Sequence, residues 1–99
     1  MRLSDEQIAI IKRTAAEVFG DEVGVSLFGS RLEDDTRGGD IDLLVESPRE
    51  IENKVEKTLT LTARLQLRIG DRPIDILVID PSTALNPVHR HAMQTGQRL

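Results

Sequence analysis

Three short aliphatic runs constrain what this chain can fold into. Residues 23–28 (Val-Gly-Val-Ser-Leu-Phe), 41–45 (Ile-Asp-Leu-Leu-Val) and 74–79 (Ile-Asp-Ile-Leu-Val-Ile) are apolar and partly β-branched. They are too short for helices and read as buried strands. Helical patterns stand before and between them. Strands alternating with helices in 99 residues predict a small α/β domain whose sheet is covered by helices. That length makes a single domain, 1–99, with enough chain for one core. Phe19 and Phe28 are the only aromatic residues, so the core must be aliphatic.

The first helix is expected over residues 4–19. Ser4-Asp5-Glu6-Gln7 is a capping box, and Leu3 is placed to staple onto Ile8. Ile8, Ile11, Ala15, Val18 and Phe19 recur on one helical face, and Gly20 is the stop. A second capping pattern, Ser47-Pro48-Arg49-Glu50, predicts a helix starting near Pro48, with Ile51, Val55 and Leu59 on one face. Its end is ambiguous. From Leu59 to Ile69 the odd positions are apolar and every even position is Thr, Arg or Gln. That alternation describes a strand, with a hairpin at Gly70-Asp71-Arg72; a helix running to about Arg68 and ended by Gly70 is the other reading. Asp80-Pro81-Ser82 breaks the chain, and Asn86-Pro87 opens a last short helix closing near Gly96.

The chemistry gathers where strands begin and end. Gly29-Ser30 follows the first strand, where a glycine lets backbone approach a ligand and N–H groups of a following turn favour an anion such as phosphate. Asp40 and Asp42 open the second strand at i and i+2, so both carboxylates point to one face. A hard divalent cation with oxygen ligands would account for the pair. Asp75 is the only charge in the third run; its bland alternative is an edge-facing carboxylate. Glu33, Asp34 and Asp35 read as the solvated face of a loop that follows a short turn. His89 and His91, at i and i+2, share no helical face and read as surface residues.

Composition excludes several classes. The net charge of −4 and the lack of Trp and Tyr oppose direct nucleic-acid binding, which needs a basic footprint or stacking aromatics. Without cysteine there are no disulfides or thiolate zinc sites. No apolar run approaches membrane-spanning length, and no signal-peptide pattern opens the chain. A cytoplasmic protein without membrane attachment is the expectation.

Gly29-Ser30 followed by Asp40-Ile41-Asp42, with Asp75 in a later apolar strand, resembles the signature of the DNA polymerase β-like nucleotidyltransferase superfamily. At this length the chain is similar to its minimal nucleotidyltransferase (MNT) branch, the antitoxin half of HEPN–MNT toxin–antitoxin pairs. The resemblance covers about residues 23–80. It implies an α/β (α+β-like) nucleotidyltransferase fold, a mixed sheet of three to four strands covered by helices, and favours the helical reading of 61–69. It also implies that Asp40, Asp42 and Asp75 converge on two Mg²⁺ ions (Mn²⁺ being an alternative) roughly 3.5–4 Å apart, with Asp75 as general base or second-metal ligand. Gly29 and Ser30 would then hold the β- and γ-phosphates of ATP. Arg31 would neutralise the leaving pyrophosphate, a surface role being equally compatible.

The implied reaction is transfer of AMP from ATP to a hydroxyl. About 20 residues follow the third strand, which leaves little for an acceptor pocket, so the acceptor is expected on another chain. The resemblance makes that partner a HEPN-domain ribonuclease toxin and the acceptor a tyrosine hydroxyl. Two other functions stay open: an antitoxin that neutralises its partner by steric occlusion, and a nucleotide sensor that binds ATP without transfer.

Overall fold

The computed structural model describes residues 3–28 and 41–99. Helix α1 (Asp5–Phe19) is followed by strands β1 (Gly24–Leu27) and β2 (Ile41–Glu46) and helix α2 (Lys54–Ile69). Strand β3 (Ile74–Ile79), helix α3 (Pro87–Thr95) and strand β4 (Gln97–Arg98) complete the chain. The sheet order among the described residues is β3-β2-β1-β4. β1 runs antiparallel to β2 and β4, and β2 runs parallel to β3. The expected small α+β fold with a mixed sheet of three to four strands is therefore present, with four strands among the described residues.

The α1 signals act as read. Ser4 accepts from the Gln7 N–H at 3.1 Å while the Gln7 side chain accepts from the Ser4 N–H at 2.9 Å. Gly20, with φ at 107°, ends the helix and donates to the Ala16 carbonyl. Ser4→Ala is expected to remove about 1 kcal/mol of stability, a fall in Tm of about 4–8 °C for a domain of this size; thermal unfolding followed by circular dichroism measures it.

One face of the sheet forms the core. Val25 and Leu27 of β1, Ile41, Leu43 and Val45 of β2 and Ile74 of β3 join Ile11 and Ala15 of α1 and Leu61 and Leu65 of α2 in one buried aliphatic cluster. Leu44 points to the other face by strand alternation and is also buried. Ser26, opposite Leu44 in register, lies under the end of α3: a Cβ on Gly96 would stand 3.2 Å from the Ser26 Cβ.

The second helix departs from its expected start. α2 begins at Lys54, not near Pro48. The Ser47 hydroxyl instead accepts from the Arg49 N–H and donates to the Arg49 carbonyl, closing a local turn. The cause is the Asp80 carboxylate, 29 residues beyond Ile51. It accepts from the Ile51 N–H at 2.8 Å and from Lys54 Nζ at 3.0 Å, and so holds the chain open until Asn53. Asn53 then adopts the left-handed conformation (φ 55°, ψ 47°) that enters the helix, one that asparagine tolerates better than most residues. The Ile51, Val55, Leu59 face is also corrected: Leu61 and Leu65 face the core, whereas Val55 and Leu59 are exposed.

Residues 61–69 are helical, ended by Gly70 at φ 112°. Thr58, Thr60 and Thr62 donate their hydroxyls to the carbonyls four residues earlier. This is how β-branched threonines, which otherwise favour strands, are accommodated inside a helix. A polar seam joins the helices. Buried Thr14 accepts from Arg68 Nη1 at 2.8 Å, and Glu17 pairs with both Arg64 and Arg68.

Asp80 is only 4% exposed. The Ile51 N–H and the Ser82 hydroxyl, with Lys54 and Thr83, hold its carboxyl far below the usual carboxylate range. The Arg68 hydrogen bond lowers Glu17 likewise. A depressed folded-state pKa stabilises the fold above the unfolded-state value and loses that contribution as pH falls. The protein is therefore expected to keep its urea midpoint from neutrality to about pH 5 and lose stability below about pH 4. Asp80→Asn should be less stable than wild type at pH 7 and show a shallower acid dependence in urea titrations at stepped pH.

Candidate active site

The sheet register brings the ends of three strands to one place. Asp42 of β2 and Asp75 of β3 are direct partners in the parallel ladder, so their backbones lie one strand spacing apart, about 4.8 Å. The Phe28 N–H donates to the Asp42 carbonyl at 3.1 Å, which sets the end of β1 beside the start of β2. The Ile41 N–H donates to the Pro73 carbonyl at 3.0 Å and does the same for the start of β3. Phe28, Asp42 and Asp75 thus form a row across three strands, at the end of the sheet from which the chain leaves β1 toward Gly29.

Alternation decides which face carries the carboxylates. Ile41 and Leu43 flank Asp42 and enter the core; Ile74 and Ile76 flank Asp75 and pack against it. Asp42 and Asp75 therefore point away from α1 and α2. Asp42 is half-buried and Asp75 exposed. Two carboxylates side by side on a rigid ladder offer hard oxygen donors to one cation. Among the described residues no group of three or more ligating side chains gathers, and Asp40 lies outside them. So do Gly29, Ser30 and Arg31, the expected phosphate contacts, and Glu33, Asp34 and Asp35 with the turn before them.

Residues 8–94 match the family model described as a nucleotidyltransferase domain. The chain belongs to the nucleotidyltransferase domain family. Its chemistry is nucleotidyl transfer. No curated protein gives a significant match. No described helix is long and apolar enough to cross a membrane.

Two residues of the nucleotidyltransferase have roles that sequence reasoning missed. Asp80 was read only as a chain break; its position directly after a strand and before Pro-Ser was the available signal. His89 was read as a surface residue, yet its Nδ1 accepts from the Asn86 N–H at 3.1 Å while Asn86 Oδ1 accepts from the His89 N–H at 2.9 Å. His89 thus completes the capping box of α3. His91 is exposed, as expected.

Proposed function

We propose that this domain transfers AMP from ATP to a hydroxyl of a partner protein, and that the partner is a HEPN-type ribonuclease toxin neutralised by the modification. The observation that carries the reading is the register pairing of Asp42 with Asp75 beside the end of β1, in a chain of the nucleotidyltransferase family. Asp42 and Asp75 would supply oxygen donors suited to Mg²⁺ or Mn²⁺, with Asp40 as the third expected ligand. Bound there, the metal would offset triphosphate charge and lower the pKa of the attacking hydroxyl.

The acceptor oxygen attacks the α-phosphorus, the new O–P bond forms, and the bond to the β-phosphate oxygen breaks to release pyrophosphate. Asp75, exposed on its strand, would take the acceptor's proton or hold the second cation. Gly29 and Ser30, which follow Phe28 in the sequence, would hold the β- and γ-phosphates, and Arg31 would neutralise the pyrophosphate. Asp75 is open to solvent, which suits a hydroxyl presented by a macromolecule. A net charge of −4 without Trp or Tyr makes a nucleic acid the poorer acceptor.

The test is intact-mass spectrometry of the co-expressed partner, with ATP labelled at the α-phosphate in a purified reconstitution. A mass gain of one AMP on the partner, dependent on Mg²⁺, is expected. A partner that is fully neutralised but unmodified would replace this reading with occlusion; label on a small molecule or on RNA would refute the protein acceptor.

A further inference from the structure

A cavity of about 220 Å³ opens where the start of β1 meets α1 and strand β4. Ala16, Val23 and Leu99 give it apolar lining, and Lys12, Asp21 and Arg98 bring the charges. Among the described residues neither Lys12 nor Arg98 has a carboxylate within ion-pair distance. Arg49, Lys54, Arg64 and Arg68 each have one, and the carboxylate of Glu22, next to Asp21, is taken by Arg49. Gly24 fixes where Arg98 stands. A Cβ on Gly24 would meet three guanidinium atoms of Arg98 at 2.6, 2.6 and 2.7 Å. Such near-equal distances mean that the guanidinium lies across the glycine rather than touching it with one tip. Backbone conformation does not require glycine here, since the described glycines with positive φ are Gly20 and Gly70. A glycine inside a strand weakens it and marks a close approach; a solvated arginine needs no glycine beneath it. The Ser26–Arg98 pairing and the Leu99 N–H, which donates to the Val25 carbonyl at 3.0 Å, hold the backbone of Arg98 in place.

We infer that this cavity binds a small phosphate monoester, its phosphate held by Lys12 and Arg98 and a hydroxyl of its body donating to Asp21. A phosphate carries close to two negative charges near neutral pH, which two cations match, whereas a carboxylate carries one. The guanidinium fork suits phosphate oxygens, and the lysine adds a point charge. The apolar lining takes the carbon skeleton. The volume is below the range of about 300–1,000 Å³ that holds drug-sized ligands, so the body is of sugar size and not a whole nucleotide. The site is separate from the carboxylates of the candidate active site. Gly24 is the register partner of Glu46, four positions along β2 from Asp42, or about 13 Å.

The test is a titration of the isotope-labelled full chain by ¹H–¹⁵N correlation spectroscopy, with EDTA present and no nucleotide. Ribose 5-phosphate should give saturable shifts centred on the amides of Gly24, Arg98 and Leu99, with a dissociation constant on the order of 1 mM or below. Inorganic phosphate should bind at least about fivefold more weakly, and acetate should leave those amides unmoved. The variant K12Q/R98Q, changed only at exposed positions, should keep its circular-dichroism spectrum and bind at least about tenfold more weakly. Gly24→Ala should also weaken binding, by evicting the guanidinium. Shifts that do not saturate or that centre elsewhere overturn the inference, as does wild-type affinity in K12Q/R98Q or in Gly24→Ala. Inorganic phosphate binding as tightly as ribose 5-phosphate would make this an adventitious ion only, and acetate binding as tightly would refute the phosphate assignment.

Discussion

Asp42→Asn and Asp75→Asn are each expected to reduce nucleotidyl transfer by about 10³-fold, the order lost when a preorganised electrostatic partner of the reacting phosphate is removed. The loss should appear as label transfer from α-labelled ATP at saturating Mg²⁺, with the variants matching wild type in circular dichroism. Both side chains lie on the sheet face away from the aliphatic core cluster, which is built from Ile41, Leu43 and Ile74 instead. Neutralising the exposed Asp75 also relieves its repulsion with Asp42, so the metal-free melting temperature of Asp75→Asn should stay level or rise. Mg²⁺ with ATP should raise the wild-type melting temperature, because a ligand bound to the native state adds stability, and should raise that of Asp42→Asn less. Normal transfer by either variant would remove that residue from the site.

Leu65→Ala is expected to have the largest effect on stability. Leu65 is fully buried between α2 and the sheet. Truncating such a leucine costs about 2–5 kcal/mol, from lost burial and the cavity left behind. That is a large part of the 5–15 kcal/mol typical of a whole domain, and it corresponds to a fall in Tm of about 10–30 °C. Leu67→Ala, two residues further along, should change stability by no more than about 0.5 kcal/mol, measured by urea unfolding at low protein concentration. A Leu67→Ala loss equal to that of Leu65→Ala would show that α2 is rotated from the orientation described here.

The contrast between those two leucines shows where sequence reasoning ends. Leu59, Leu61, Leu65 and Leu67 stand in one alternating pattern with threonines and arginines, and nothing local distinguishes the buried pair from the exposed pair. Packing against α1 and the sheet decides it, together with threonine hydroxyls that turn back onto the helix. The start of α2 fails for a related reason. Ser47-Pro48-Arg49-Glu50 is a sound local capping signal, but a local signal worth about 1 kcal/mol yields to a buried carboxylate that must be satisfied. Asp80 finds its partners at Ile51 and Lys54 only after β3 has been laid beside β2.

Apart from that second capping pattern, what the chain states locally is accurate. The Ser4–Gln7 capping box, the stop at Gly20, the three aliphatic strands and the Asn86-Pro87 helix start all lie within one residue or so of their expected places, because caps, turns and strand periodicity act over a few residues. The alternation around Asp42 and Asp75 also determined from sequence that each carboxylate stands out of an otherwise apolar strand. That the two stand side by side could not be read from alternation or spacing; only the family resemblance implied it. They are 33 positions apart, and their adjacency depends on the parallel register of β2 and β3, set by the crossover through α2 and the aliphatic core beneath it. Tertiary structure alone supplied that register, since only the closed sheet satisfies both the backbone ladder and the burial of Leu61 and Leu65 at once.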